Sequence, residues 1–394
     1  MRKRNPVVIA FCLLAALLLL GAGCSPKTGA PAKGELEPYK IGAVIDISGS
    51  AASLGEPERD TLEMLVEELN AKGAIDGHPV DLVILDNKSN ETEAVLAAKR
   101  LIDQDKVLAV LGCSTSGPTL AMLDTIQKAN VPLISLAASA KIVEPVGERR
   151  WVFKTAQSDI LVANKIARYL LEKGLKDVAF LSMNNAYGDS GRECFEKAAA
   201  DMGLNIVVKE KFEATDKDMT SQIAKVKASK AQATVVWAIP PSAAIVTKNY
   251  HDMGLQIPLI HTHGIGNKAF IDLAGEAADG VILPVGKILV AEQLPDNDPQ
   301  KQVLLEYIAA YGKKYNERPS TFGGHAHDGF SLAVKALAEA GPDRAKIRDA
   351  LESITGYAGI SGVFTLSPRD HNGLGEDSMV MVEIRDGKWQ LMTQ

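Results

Sequence analysis

The chain has 394 residues, 46% of them hydrophobic and 23% charged, with a formal net charge of −6. That length suggests two domains at about 100–200 residues each, and the composition excludes disorder as the main state. The basic stripe that marks a nucleic-acid binder is missing, which speaks against nucleic acid as a partner.

Arg2, Lys3 and Arg4 lead into fourteen apolar residues, Val7 to Leu20. This run is short for a membrane span, which needs about 20 residues, but suits the apolar part of an export signal. Leu20-Gly21-Ala22-Gly23-Cys24 follows. Small residues before a cysteine at this point resemble a bacterial lipobox, with Gly21 standing where a Leu is usual. Cleavage after residue 23 and lipid attachment at Cys24 are expected, the simpler alternative being a secretory signal with a cysteine nearby. Ser25 to Pro38 has no apolar period, so residues 24–38 read as a flexible tether. No later segment is apolar over a spanning length. The mature protein is therefore expected outside the cytoplasm, anchored to the membrane by its lipid. Without residues 1–23, 40 basic residues face 49 acidic ones, a net of −9. Cys12 leaves with the signal, and Cys113 and Cys194 are too few for a disulfide framework. Both are expected as free, buried thiols.

The body opens with a strand over Tyr39–Ile47. Pro57 is expected to open a helix, where its missing N–H costs nothing. Leu62, Leu65, Val66 and Leu69 follow helical spacing, and Gly73 ends it. Val80–Leu85 is the second strand. Asn90 and Glu93 form a capping-box-like start, and Ala94, Ala97, Ala98 and Leu101 mark the buried face of the helix it opens. Val107–Leu111 is the third strand. Alternating strands and helices predict a parallel sheet wrapped by helices. An internal echo then appears. Val131-Pro132-Leu133-Ile134-Ser135 recurs as Ile257-Pro258-Leu259-Ile260-His261, and Ala109-Val110-Leu111-Gly112 as Val235-Val236-Trp237-Ala238, both 126 residues on. The shared offset predicts two similar α/β units. Ligands of open parallel sheets sit at the carboxyl ends of the strands. Here the corresponding loops are 112–117, 136–141, 239–243 and 262–267, and two facing units would form a closing cleft.

Several motifs bear on chemistry. Gly188-Asp189-Ser190-Gly191 resembles the nucleophile loop of a trypsin-like protease, but no Asp and His context supports a triad and the alternating elements do not fit that all-β fold. Gly264-Ile265-Gly266 with Ala269 fits a dinucleotide loop, yet the acidic residue expected about 20 positions on is replaced by a turn at Ala277-Ala278-Asp279-Gly280. His261, His263, His325 and His327 are metal-ligand types without an acidic cluster behind them. No catalytic residue, metal or cofactor is therefore expected. Ser114-Thr115-Ser116-Gly117-Pro118 is more informative: hydroxyls and free N–H groups at the start of a helix over Thr119–Lys128 would suit an anion, the plainer role being an N-cap. Ala138-Ser139 lies on the next loop and adds donors.

Assembled, these segments resemble the leucine/isoleucine/valine-binding family of periplasmic solute-binding proteins, the receptors of ABC importers. The likeness spans roughly residues 39–388. It rests on Ile41-Gly42-Ala43-Val44, Asn70-Ala71-Lys72-Gly73-Ala74-Ile75-Asp76-Gly77, Ser114-Thr115-Ser116-Gly117, Val131-Pro132-Leu133-Ile134-Ser135, Ala186-Tyr187-Gly188 and Asp279-Gly280-Val281. It implies a type I α/β fold of two Rossmann-like lobes joined by a hinge, lobe 1 being 39–156 plus 286–379 and lobe 2 being 157–285 plus 380–394. It implies a monomer that binds a small carboxylate and works with permease subunits. Ser114, Thr115, Ser116, Ala138 and Ser139 would hold the carboxylate, and Tyr187 would close over it from lobe 2. Ser53, Leu54, Ile239 and Phe322 would complete the walls.

Two departures bear on the ligand. Amino-acid-binding members carry an acid where His263 stands, to meet the ligand's ammonium. The aromatic often found after the Val235 strand is replaced by Ile239-Pro240-Pro241. A buried ammonium without a carboxylate is costly, by several kcal/mol. Four further segments resemble a subgroup that binds aromatic acids and aromatic keto acids: residues 52–58, 151–155, 290–295 and 321–325. Neutral His263 can exchange one hydrogen bond with a keto or hydroxyl oxygen. An aromatic acid or keto acid is thus expected, ahead of a branched-chain or other hydrophobic amino acid.

Overall fold

The computed structural model describes residues 36–392. The expected signal peptide, Cys24 and most of the expected tether lie outside them. In chain order the first half holds β1 (Tyr39–Ile45), α1 (Ala52–Ala71), β2 (Val80–Asp86), α2 (Glu91–Arg100), β3 (Ala109–Gly112), α3 (Ser116–Ala129), β4 (Leu133–Ser135), β5 (Val152–Lys154) and α4 (Asp159–Glu172). Next come β6 (Asp177–Met183), α5 (Ala186–Met202), β7 (Asn205–Phe212), α6 (Thr220–Lys227), β8 (Ala233–Trp237), α7 (Ser242–Asp252), β9 (Leu259–His261), α8 (Lys268–Ala274) and β10 (Ile282–Gly286). The chain ends with α9 (Lys301–Tyr315), α10 (Thr321–Ala340), α11 (Arg344–Glu352), β11 (Tyr357–Ala358), β12 (Val363–Phe364), β13 (Met379–Arg385) and β14 (Lys388–Leu391).

Two sheets organise these elements. The first has the order β2-β1-β3-β4-β5 and is parallel throughout. The second has the order β14-β13-β10-β9-β8-β6-β7, parallel except at β10–β13 and β13–β14. Together they make two mainly parallel α/β sheets, the architecture expected from the sequence. Strands β3, β4 and β8 are buried along their whole length, as expected where helices cover both faces of a parallel sheet. The echoed segments are neighbours in each sheet, β3 beside β4 and β8 beside β9.

Three differences from the sequence reading have physical causes. Helix α1 begins at Ala52, five residues before Pro57, which lies inside it. A proline in the second turn leaves one carbonyl unbonded, that of the residue four back. Here it is Ser53, whose oxygen accepts from Asn267 Nδ2 at 3.3 Å, a residue beyond the second sheet's β9. Second, residues 286–315 are not cleanly part of a first lobe. Ile288, Leu289, Val290, Leu304, Tyr307 and Tyr311 join the hydrophobic cluster of the second sheet, which also takes Met64 from α1. Yet α9 is tied to α1, through Tyr307 Oη to Thr61 Oγ1 (2.7 Å) and Tyr315 Oη to the Asp60 carbonyl (2.6 Å). Third, Cys113 is buried as expected, while Cys194 is half-buried; both are free. No helix among the described residues is long and apolar enough to cross a membrane.

Candidate functional site

A cavity of ≈ 250 Å³ opens between the sheets, just below the usual range of small-molecule sites, about 300–1,000 Å³. Its walls are the segments that follow strand ends. Ser50, Ala51 and Leu54 follow β1, and Ser89 and Glu91 follow β2. Ser114 to Pro118 follow β3, and Leu136, Ala137 and Ala138 follow β4. From the second sheet come Asn185 and Tyr187 after β6, Ile239 after β8, and His263 and Gly264 after β9. The first turns of α10 add Phe322 and His325. Ligands of parallel sheets collect at this end because the loops there converge and the helix N-termini point inward.

Nine of the eleven residues expected at a ligand site line this cavity: Leu54, Ser114, Thr115, Ser116, Ala138, Tyr187, Ile239, His263 and Phe322. Ser53 and Ser139 do not. The carbonyl of Ser53 meets Asn267, and Ser139 Oγ accepts from Lys141 N (3.3 Å) in a short 3₁₀ turn. Ser139 still acts on the wall, because its N–H donates to Ser116 Oγ (3.2 Å).

The hydroxyl loop is wired differently from the simple expectation. Thr115 Oγ1 donates to Asp46 Oδ1 (2.9 Å), and the N–H groups of Ser114 and Thr115 donate to Asp46 Oδ2 (2.9 and 3.2 Å). Ser114 Oγ accepts from Asp46 N (3.1 Å) and is hydrogen-bonded to Glu58 Oε2. Asp46 and Glu58 are fully buried. Burial raises the Asp46 carboxyl against hydrogen bonds that lower it. Burial, with the nearby Asp46 charge, holds Glu58 well above the usual carboxylate range. Ser114 itself lines the cavity, and besides its hydroxyl the groups left for a ligand are the N–H groups of Ser116 and Gly117, which precede the first intrahelical bond of α3, and the Ser116 hydroxyl. Pro118 follows with no N–H to leave unmet.

Across the cavity, Tyr187 Oη is held by Thr262 Oγ1 (2.8 Å), and its ring lies against Trp237 with centroids 6.0 Å apart. Burial lowers His263 to about 3 and His325 to about 4, so both are neutral at ordinary pH. His325 Nδ1 is 2.8 Å from Ser361 Oγ, while His263 Nδ1 has no partner. Lys154 and Asp159 lie behind the wall, wholly buried, and Lys154 Nζ holds the Ala138 carbonyl (2.5 Å). Burial lowers the Lys154 ammonium and raises the Asp159 carboxyl, each opposed by the other's charge.

Sequence reasoning missed His325 and Glu91 as wall residues. In the sequence His325 stands out as a metal-ligand type and as the end of the 321–325 segment, neither of which marks it as a wall residue, and no group of three or more metal-ligating side chains occurs among the described residues. Glu91 sits at the first position of α2, where the cap Asn90 accepts from Thr92 and Glu93 N–H groups (2.8 and 3.1 Å). Its side chain turns toward Gly117, where an added Cβ would lie 2.7 Å from Glu91 Oε1. The protease-like Gly188–Gly191 segment is packing: Ser190 is buried, and a Cβ on Gly191 would come within 2.1 Å of Trp237 Cε2.

Residues 38–388 match the family described as periplasmic binding protein. Leu/Ile/Val-binding protein homolog 7 of Brucella suis biovar 1 (strain 1330) is 27% identical over 391 residues, covering 95% of this chain and 94% of its own. The leucine-, isoleucine-, valine-, threonine-, and alanine-binding protein of Pseudomonas aeruginosa is 24% identical over 318 residues, 80% of this chain and 82% of its own. Among solved structures, an extracellular ligand-binding receptor from Rhodopseudomonas palustris HaA2 is 29% identical with a TM-score of 0.85, over 91% of this chain and 100% of that one. The substrate-binding protein LivJ from Streptococcus pneumoniae, in complex with isoleucine, is 28% identical with a TM-score of 0.80, over 90% and 98%.

Proposed function

The chain belongs to the periplasmic binding protein family, of the Leu/Ile/Val-binding type, and on that premise we propose that it captures a small hydrophobic carboxylate, an aromatic acid or aromatic keto acid, by cleft closure and delivers it to ABC permease subunits. No bond is made or broken in this role. The carboxylate would lie against the Ser116 and Gly117 N–H groups and the Ser116 hydroxyl, at the positive end of α3. Leu54, Phe322, Ile239 and Tyr187 would enclose the apolar body.

One observation carries the choice of ligand. Apart from Glu91 the cavity lining holds no acid, and across from the Ser114–Pro118 loop its polar side chains include Asn185, Tyr187 and two neutral histidines, His263 and His325. Each has one donor and one acceptor nitrogen, which suits a keto or hydroxyl oxygen. The competing reading, a branched-chain or other hydrophobic amino acid, is favoured by Glu91, an acid on the cavity wall, and by the relatives' ligands. Glu91, however, borders Gly117 at the carboxylate end. A sensory receptor using the same fold is the third reading, and co-purification with a sensor instead of permease subunits would favour it.

Calorimetric titration with phenylpyruvate and phenylalanine tests the proposal, since the pair differs only in the keto or amino group. Phenylpyruvate is expected to bind at least about a hundredfold tighter, from the cost of an unpaired buried ammonium; equal or tighter binding of phenylalanine would refute the reading. The anchor is proposed as lipid on Cys24, and incorporation of labelled palmitate that persists in Cys24→Ser would refute that part.

A further inference from the structure

We infer that Glu58 is a positioning residue for the ligand's carboxylate, its proton deciding whether the Ser114 hydroxyl offers the cavity a donor or a lone pair. The inference rests on the reading of the cavity as a carboxylate site. Glu58 lies on α1 behind the wall and does not border the cavity, whereas Ser114 does. The two are joined through Glu58 Oε2 and Ser114 Oγ, and Glu58 Oε1 has no partner at all.

The two buried carboxyl groups flanking Ser114 are unequal. Asp46 receives three donors: Ser114 N, Thr115 N and Thr115 Oγ1. That is the environment of an anion. Glu58 has the single contact with Ser114. Two carboxylates sharing one buried serine cannot both ionise cheaply, so the proton resides on Glu58. Placed on Oε2, it is donated to Ser114 Oγ. That oxygen then accepts from Glu58 and from Asp46 N, both lone pairs are engaged, and its own hydrogen is left for the cavity. When Glu58 loses its proton, Ser114 must donate to it instead. The cavity then faces a serine lone pair, and a bound carboxylate is repelled.

The surrounding groups do not supply this switch. Cys113, from the loop after β3, is buried and its thiol is pushed up, by burial first and then by the Asp46 charge. Tyr307 of α9, bonded to Thr61 one turn along α1, is also raised by burial, and His327 packs on its ring. His325 on α10 remains neutral. Neither carboxyl has a basic side chain among its hydrogen-bond partners in the described residues. Lys154 lies on the far side, beneath Ala138, and is retained in the variant used as control.

The test has two arms on the full chain. In the first, infrared difference spectra compare the ligand-free protein with Glu58→Gln near neutral pH. A protonated-carboxyl carbonyl band is expected in the wild type and not in the variant, and its absence from the wild type overturns the inference. In the second, phenylpyruvate and leucine are each titrated from mildly acid to alkaline pH. The wild-type dissociation constant of whichever binds is expected to rise by about tenfold per pH unit once Glu58 ionises. Glu58→Gln, whose amide always donates to Ser114, should keep the tight acid-side value with that rise abolished. An unchanged pH profile in the variant, or acid-side binding weakened more than about tenfold, overturns the inference. If neither compound binds, the functional reading fails, while the infrared band still decides where the proton is.

Discussion

His261 shows how much a single buried side chain can govern. Thr247 Oγ1 donates to the Ala243 carbonyl (2.8 Å), so it must accept from His261 Nε2 (2.9 Å), leaving Nδ1 bare and unpartnered. Burial lowers this histidine to about 3, as it does His263, with His325 at about 4. In the unfolded chain each titrates near 6.5. Below that pH the unfolded state takes up protons that the folded state refuses, so stability is complete above it and falls as the solution is acidified toward the folded values. At about pH 5 the loss is about 2 kcal/mol per histidine. The buried Glu58 and Asp159 carboxyls, raised by burial, act in the opposite sense over this range, so the histidine share is read as a difference. His261→Gln, whose amide can still donate to Thr247, should lose less stability than the wild type between neutral pH and pH 5, and denaturant midpoints that shift equally in both proteins would contradict the burial argument. At the cavity, His263→Glu should weaken phenylpyruvate by about 2 kcal/mol, some thirtyfold, and strengthen leucine. Calorimetry showing both affinities unchanged would mean that His263 does not meet the ligand.

At the scale of elements, α5 depends on close approach to the second sheet. Gly191 faces Trp237, and Trp237 in turn backs Tyr187. Gly191→Ala should cost about 1–3 kcal/mol by overpacking and displace Tyr187, whereas Ser190→Ala should leave ligand binding intact. Thermal melts and titrations separate the two outcomes. Helix α1 supplies the complementary case. The Ser53 carbonyl freed by Pro57 reaches Asn267 Nδ2, while Asn267 Oδ1 caps α8 by accepting from Phe270 N (3.1 Å). Asn267→Asp keeps the cap and removes the donor to Ser53. Affinity should fall about fivefold, from about 1 kcal/mol of lost hydrogen bonding, with little change in melting temperature. These elements also show what the sequence could and could not reveal. Strands β3, β4, β8 and β9 were legible because buried parallel strands read as short apolar runs, and the shared 126-residue offset tied them into two units. The start of α1 was not legible, because the partner that makes Pro57 tolerable lies 214 residues from Ser53. The same holds for the hydroxyl loop. Ser114 and Thr115 were visible as a helix-start cluster, but Asp46 and Glu58, which occupy them, are distant in sequence. His325 and Glu91 reach the wall only through tertiary packing of α10 and α2.

For the whole molecule, the lining of the cavity comes from both sheets, so ligand affinity and the meeting of the two sheets are one equilibrium. Among the described residues, contacts that join the two sides include Asn267 to the Ser53 carbonyl, Thr321 Oγ1 to the Gly266 carbonyl at 3.0 Å, Tyr307 Oη to Thr61 Oγ1, and the ion pair of Lys141 Nζ with Glu193 at 2.7 Å. That ion pair is about half exposed and contributes little in salt. Ligand that binds only the folded, closed protein raises its melting temperature. At 100 times the dissociation constant the gain is about 2.7 kcal/mol. The most direct measurement is therefore thermal melting of the protein with leucine, phenylalanine, phenylpyruvate and 4-hydroxybenzoate, each added separately. Stabilisation by the aromatic acids that lack an amine, and not by leucine or phenylalanine, is the predicted result. Stabilisation by leucine or phenylalanine, with none from phenylpyruvate or 4-hydroxybenzoate, would contradict the account and return the cavity to an amino-acid ligand.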